Sequence, residues 1–384
     1  MALADDSPAA VRPPVAAPLA PSDAPPDCRA RLETWLSREW QRSRAWKISL
    51  TPVSWLFASI VSLRRLLFRS GVYRSTRIDV PVIVVGNITV GGSGKTPLVI
   101  AIVEMLRAHG YRPGVVSRGY GSTANANRDD RAVQIDAAAS DAALRFGDEP
   151  VLLARRLHCP VVVARDRVAA ARALRVRNPE VDVIVSDDGL QHYALVRDVE
   201  IAVLDGGYGV GNGAMLPAGP LREPVSRLNF VDAMAIYGHS SQFDALTPPK
   251  FSVALGEERV VNLHGGQQLS VAEFAAAADA AGKSVHAFAG IARPQRFFAH
   301  LQRLGLRTHN HSFADHHRFT ADDLAAPAND LLLMTEKDAV KCAVFADARC
   351  WYLRIDAILP PAFQDLIVQR LASAKPQSST RKQP

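Results

Sequence analysis

Cysteine is scarce in this chain. Cys28, Cys159, Cys342 and Cys350 are scattered over 384 residues and form no Cys-x-x-Cys pair, which argues against a disulfide framework or a structural zinc site and for reduced thiols in a cytosolic setting. No secretory leader is expected, because residues 1–27 are acidic, Ala-rich and Pro-rich, with Pro13, Pro14, Pro18, Pro21, Pro25 and Pro26 and no apolar core. They predict a mobile tail without chemistry. Long uncharged runs are missing as well. The stretch Ile48 to Leu63 is interrupted by Thr51-Pro52 and closed by Arg64-Arg65, too short for a membrane span.

What is present is a globular balance of 48% hydrophobic and 22% charged residues. The length suffices for two domains with their own cores, which excludes a disordered or fibrous protein. A net charge of +7 and a pI near 9.4 suit an acidic partner: nucleic acid, anionic lipid or a phosphorylated substrate. Residues 28–73 mix Trp35, Trp40, Trp46, Trp55, Leu56, Phe57 and Ile60 with Arg38, Arg42, Arg44, Lys47, Arg64, Arg65 and Arg69. They predict a helical region broken near Pro52. It would lie in a membrane interface, tryptophans at headgroup depth and cations on lipid phosphates, or pack as an amphipathic helix on its own domain.

The chain is organised around Val82-Ile83-Val84-Val85-Gly86-Asn87-Ile88-Thr89-Val90-Gly91-Gly92-Ser93-Gly94-Lys95-Thr96-Pro97. A buried-strand pattern feeds a glycine-rich turn and then a helix, the arrangement of a phosphate-binding loop. Gly91, Gly92, Ser93 and Gly94 let backbone N–H groups surround the β- and γ-phosphates, Lys95 adds a mobile charge, and the Thr96 hydroxyl can ligate Mg²⁺. The usual spacing asks for glycine where Thr89 stands.

Strand and helix patterns then alternate. Helices are predicted over Leu98–His109, Asp141–Leu157 and Asp166–Val176, and strands at Pro113–Ser117, Pro160–Val163, Val181–Ser186, Val199–Leu204 and Ala233–Tyr237, with a polar surface loop over Ser122–Asp136. This predicts an α/β fold: a mostly parallel, P-loop NTPase-like sheet over residues 74–248 with helices on both faces. Ligands in such sheets gather at the carboxyl ends of strands. After Pro248-Pro249, Phe251–Leu255 and Val260–Leu263 are expected to pair as a hairpin-like connector. A smaller α/β domain should complete residues 249–374, with a strand at Ser284–Ala289, a helix at Pro294–Leu304 and strands at Asp330–Met334 and Trp351–Ile355. Residues 375–384 read as a polar tail.

Asp187-Asp188-Gly189 ends an apolar strand, where a P-loop enzyme keeps the carboxylate that holds Mg²⁺ directly or through water. The Gly- and Pro-dense segments from Asp205 to Gly209 and from Leu216 to Pro224 read as an active-site wall, with Arg222 and Glu223 its charged members. His309, His311, His316 and His317 gather around Asp315 with no strong zinc spacing, which favours an acid/base histidine over a metal ligand. Thr335-Glu336-Lys337-Asp338 only superficially matches a guanine-reading motif.

The order of these motifs resembles the tetraacyldisaccharide 4′-kinases, which phosphorylate the lipid A precursor in Gram-negative bacteria. The resemblance rests on the Val85 to Pro97 loop, Ser117-Arg118-Gly119-Tyr120-Gly121, Gly147-Asp148-Glu149-Pro150, Asp187-Asp188-Gly189-Leu190-Gln191-His192, Pro217-Ala218-Gly219-Pro220-Leu221-Arg222-Glu223, Gly290-Ile291-Ala292, Asp315-His316-His317 and Thr335-Glu336-Lys337-Asp338. It makes Thr89 a family trait. It implies transfer of the ATP γ-phosphoryl group, with Mg²⁺, to the 4′-hydroxyl of a tetraacylated disaccharide 1-phosphate at the cytoplasmic face of the inner membrane. The implied partners are that lipid and the membrane surface, not nucleic acid. Carried over residue by residue, Lys95 would neutralise the phosphates and Thr96 hold Mg²⁺. Asp148 would be the catalytic base paired with His316, the histidine aligned to the family motif, while Asp187 and Asp188, joined by Glu223, would serve the metal. The alternatives are a P-loop nucleotide-switch GTPase or metallochaperone, and a membrane-binding protein whose loop is only structural.

Overall fold

The computed structural model describes residue 40 and residues 44–119, 131–139, 141–325 and 329–374. Both tails, Trp35, Tyr120-Gly121 and most of the Ser122–Asp136 loop lie outside the described residues; the remainder of that loop contributes a short strand, β3 (Val133–Gln134).

Two sheets form the frame. The first has nine strands in the order β15-β8-β7-β6-β1-β5-β2-β4-β3. Its interior strands β8 (Lys250–Leu255), β7 (Ala233–Tyr237), β6 (Val199–Asp205), β1 (Val82–Gly86), β5 (Val183–Asp187), β2 (Pro113–Ser117) and β4 (Val161–Val163) run parallel. The edges, β3 and β15 (Ala357–Ile358), are antiparallel. Strands β1, β2, β4, β5 and β6 are buried at every position, so their near-continuous Val and Ile runs are what a sheet covered on both faces requires.

One face is covered by α2 (Lys95–Ala108), through Leu98, Val99 and Ile102, and by α9 (Pro361–Ala374), through Phe363, Ile367 and Leu371. The other is covered by α5 (Arg167–Arg177), through Val168, Ala171 and Leu174, and by Phe57, Ala58 and Val61 of α1 (Arg44–Arg69). The second sheet has six strands in the order β10-β9-β14-β13-β11-β12. In it β11 (Val285–Ala289), β12 (His309–Ser312), β13 (Leu331–Thr335) and β14 (Cys350–Arg354) are parallel, while β9 (Arg259–Asn262) and β10 (Gln268–Ser270) are antiparallel. Helices α6 (Val271–Ala280), α7 (Pro294–Arg303) and α8 (Glu336–Cys342) accompany it.

Four expectations are corrected. The two strands after Pro249 do not pair with each other: β8 extends the first sheet beside β7, and β9 pairs with β14 in the second. Residues 249–374 therefore do not form one separate body, because β15 and α9 return to the first sheet, where Phe363 stacks on Phe251 at 4.7 Å. The two crossings are tied where the Gly256 N–H donates to the Asp356 carbonyl at 2.7 Å. Helix α1 runs unbroken through Pro52; Lys47 and Ser54 anchor it on either side, to the Asn212 and Met215 carbonyls. The helix expected over Asp141–Leu157 is two, α3 (Ala142–Phe146) and α4 (Asp148–Leu157), separated by Gly147 at φ 90°, a conformation that L side chains rarely adopt.

Candidate active site

Loop β1–α2 begins as extended chain. Thr89 bridges Leu221, Val90 N–H donates to the Pro220 carbonyl at 2.8 Å, and Arg222 N–H to the Ile88 carbonyl at 2.7 Å. No glycine is needed at Thr89 for that reason. Positive φ is required further on, at Gly91 (100°) and Gly94 (83°), and a Cβ on Gly94 would strike the Tyr237 ring at 2.5 Å. Buried Asn87 knots the loop together. Its Nδ2 donates to Ser93 Oγ at 2.9 Å, its Oδ1 accepts from Lys95 at 3.4 Å and from Arg222, and its carbonyl accepts from Gln191 at 3.0 Å.

Lys95, first residue of α2, lies 3.6 Å from Asp188. Arg222 clamps the same carboxylate with two hydrogen bonds of 2.9 and 3.0 Å. Burial pushes the Asp188 carboxyl up, but Lys95 and Arg222 outweigh it and hold the group well below the usual carboxylate range. Asp187, at the end of β5, accepts from Ser117 Oγ at 3.0 Å; burial, with the negative charges of Glu149 and Asp188, raises its carboxyl. Crowded carboxylates and a threonine hydroxyl in the first turn of α2 are hard oxygen donors, and a divalent cation would relieve the carboxylates' repulsion. The donor set of Thr96, Asp187 and Asp188 thus fits Mg²⁺ shared with substrate phosphates. Glu223 is buried and already engaged, by Tyr193, by Gln191 at 3.4 Å and by Arg227 at 3.6 Å.

The second half of the site comes from both sheets. Asp148 opens α4 and is buried. His316 sits in the loop after β12, at φ 58°, with its Nδ1 3.1 Å from Asp148 Oδ2. His317 turns the other way, 3.2 Å from Asp323 and stacked on Phe313. His309 and His311 stay on β12, where His311 contacts His286. The four histidines expected to gather are dispersed: His309 and His311, two apart on β12, share a face and both pack on His286, whereas His316 and His317, neighbours in the following turn, face different partners. Among the described residues no group of three or more His, Cys, Asp or Glu is arranged to hold a metal.

Lys337 and Lys341, one turn apart on α8, approach Asp148 to 3.8 and 3.9 Å, and Lys337 also reaches Glu149 at 3.1 Å and Asp315 at 3.9 Å. Burial raises the Asp148 carboxyl, but Lys337, His316 and Lys341 together pull it down to about 2. Burial lowers His316, yet its hydrogen bond to Asp148 leaves it above its ordinary value. A carboxylate permanently charged near neutrality and hydrogen-bonded to an imidazole is equipped to take a proton from an alcohol. Composition singled out neither lysine; their i, i+4 spacing on one helix face was the available signal. With Asp338 buried against Gly290 N–H and Thr335 Oγ1, the Thr335-Glu336-Lys337-Asp338 segment caps α8 and turns Lys337 onto Asp148.

A phosphate loop and an acidic strand end on one largely parallel sheet, met by a carboxylate–imidazole pair that joins it to the second sheet, define a P-loop phosphotransferase. The chain belongs to the tetraacyldisaccharide-1-P 4′-kinase family, whose model matches residues 46–372. Among curated relatives, the tetraacyldisaccharide 4′-kinase of Aromatoleum aromaticum is 48% identical over 341 residues, 88% of this chain and 97% of that one. That of Methylobacillus flagellatus is 44% identical over 341 residues, covering 88% and 96%. LpxK from Aquifex aeolicus, solved in complex with ATP, superposes with a TM-score of 0.69 at 26% identity, over 85% of this chain and 99% of that one.

Proposed function

We propose that this enzyme transfers the γ-phosphoryl group of ATP to the 4′-hydroxyl of a tetraacyldisaccharide 1-phosphate, in the synthesis of lipid A. The observation that carries the mechanism is the Asp148–His316 pair at 3.1 Å, contributed by two sheets beside the phosphate loop. In-line transfer needs positioning and charge stabilisation more than covalent help from the protein. The loop amides and Lys95 hold the β- and γ-phosphates. Thr96, Asp187 and Asp188 hold Mg²⁺, which supplies neutralising charge to the phosphate oxygens; Glu223 supports that group from behind through Gln191 and Asn87. Asp148 accepts the hydroxyl proton as the oxygen–phosphorus bond forms, and His316 orients it and shares the charge. Lys337 keeps Asp148 ionised.

The acyl chains call for a site at a membrane surface. Helix α1 supports one: although Ile48 to Leu63 reads as too short to span, the helix continues unbroken through Pro52 and past Arg64-Arg65, so that Lys47–Arg69 is long and apolar enough to cross a membrane by length and composition, and Ile48, Val53, Trp55, Leu56, Ile60, Leu63 and Leu66 are exposed. Its other side is docked, with Ser54 buried between the Met215 carbonyl and Ala218 N–H and Arg65 4.4 Å over the exposed Phe230 ring. A helix held on the protein with an apolar face outward suits the inner-membrane surface on the cytoplasmic side.

The test is transfer of labelled γ-phosphate from ATP·Mg²⁺ to tetraacyldisaccharide 1-phosphate in detergent micelles. Label should enter the lipid with the native enzyme and be largely lost with Lys95→Ala. Nucleotide hydrolysis without lipid label would instead favour a nucleotide switch.

A further inference from the structure

The Gly290-Ile291-Ala292 turn and the start of α7 have no part in the steps above, yet they bring Arg293 against the phosphate loop and Arg296 to the neighbouring strand end. Arg293 stacks its guanidinium on the Tyr208 ring at 3.6 Å and lies 3.5 Å from Asp205 Oδ2. Its Nη2 stands 3.3 Å from where a Cβ on Gly91 would be. Arg296 pairs with the same Asp205 oxygen. Asp205 ends β6, the strand beside β1, so this contact sits at the carboxyl edge of the sheet.

Glycines of such a loop surround the β- and γ-phosphates. A guanidinium against Gly91 is therefore within a side-chain rotation of the transferring group. Its planar fork matches phosphate oxygens, and Tyr208 holds it extended. Because Arg296 also pairs with Asp205, Arg293 can leave without stranding a buried carboxylate.

We propose that Arg293, delivered from the second sheet, swings from Asp205 onto the γ-phosphoryl group and stabilises the charge on its equatorial oxygens during transfer. Arg293 forms no covalent bond: the γ-phosphorus to β-bridging-oxygen bond breaks, the acceptor oxygen bonds to phosphorus, its proton passes to Asp148, and ADP leaves. The inference rests on the phosphotransferase function proposed above.

The experiment compares binding of ADP·Mg²⁺ with and without aluminium fluoride, a planar mimic of the transferring group, alongside lipid-kinase kcat. Arg293→Ala should bind ADP within about twofold of native enzyme, bind the fluoride complex at least ~30-fold more weakly and lose about 100-fold or more in kcat, the scale of cationic stabilisation in phosphoryl transfer. Arg293→Lys should recover part of both losses. Asp205→Asn keeps the acceptor for Gly207 and Tyr208 N–H but removes the anion that retains Arg293. It should keep fluoride binding within a few-fold of native enzyme. Equal fluoride binding by Arg293→Ala and native enzyme overturns the proposal, as does a parallel loss in Asp205→Asn, which would make the contact a structural clasp. Native enzyme that binds ADP and fluoride but labels no lipid would overturn the proposed substrate instead, leaving Arg293's role measurable.

Discussion

Asp148 keeps its charge because three cationic or hydrogen-bonding groups, Lys337, His316 and Lys341, converge on it. Asp148→Asn preserves shape and removes the proton acceptor, so kcat should fall by about 10²–10⁴ while ATP affinity, measured by titration, stays within a few-fold. An unchanged kcat would move the base elsewhere. His316 faces Asp148, Asp315 and Lys337 and titrates above its ordinary value of 6.5. Below that raised pKa the ring is an imidazolium whose N–H occupies the Asp148 oxygen. As pH rises through it, the oxygen becomes free to accept, so kcat/KM should climb with pH. His316→Gln should flatten that limb; persistence of the limb would assign it to another group. At this scale the sequence exposed the nucleotide side well, since Lys95 and Thr96 belong to one continuous loop whose chemistry is local. The base was hidden from composition and spacing. Asp148 and His316 are 168 residues apart, and only the family resemblance joined them.

Between elements, a buried charged seam lies where α4 meets α8. Arg156 of α4 reaches Glu336 at 2.8 Å and also pairs with Asp356, with both Arg156 and Glu336 largely buried. Removing one partner of such a set strands the others. Arg156→Met should lower unfolding stability by about 3 kcal/mol, read from the urea midpoint, and adding Glu336→Met should restore much of it. If the double variant is no better than the single one, the seam is not an ionic pair in energetic terms. Element identities were largely legible, because β-branched runs bounded by Gly and Pro mark buried strands. Pairing partners were not: Phe251–Leu255 and Val260–Leu263 look alike as apolar strands, and only pairing with β7 or β14 separates them. Gly147 was read as part of a helix because one positive φ leaves no trace in hydrophobic periodicity.

For the molecule as a whole, the exposed face of α1 lies on the body that holds the phosphate loop, which bears on how an acylated substrate reaches that site. Trp55→Asp with Ile60→Asp alters only the outward side, leaving Phe57, Ala58 and Val61 against the core. Vesicles with anionic headgroups should sediment this variant at least about tenfold less well, given about 1.5–3 kcal/mol per buried apolar side chain, while transfer in detergent is retained. Unaltered sedimentation would leave α1 as a packing helix only. The sequence carried both alternatives for this segment, and the described helix has a face for each.

Because Phe363, Ile367 and Leu371 of α9 complete the core beneath β1, the nucleotide-binding half cannot finish folding until the chain has left the ribosome through Leu371. Its opening strands emerge early, gain α2 at once, and wait through the whole second sheet for the rest of their cover. A chain cut short before α9 would therefore carry every phosphate-loop residue and leave one face of the central sheet only partly covered.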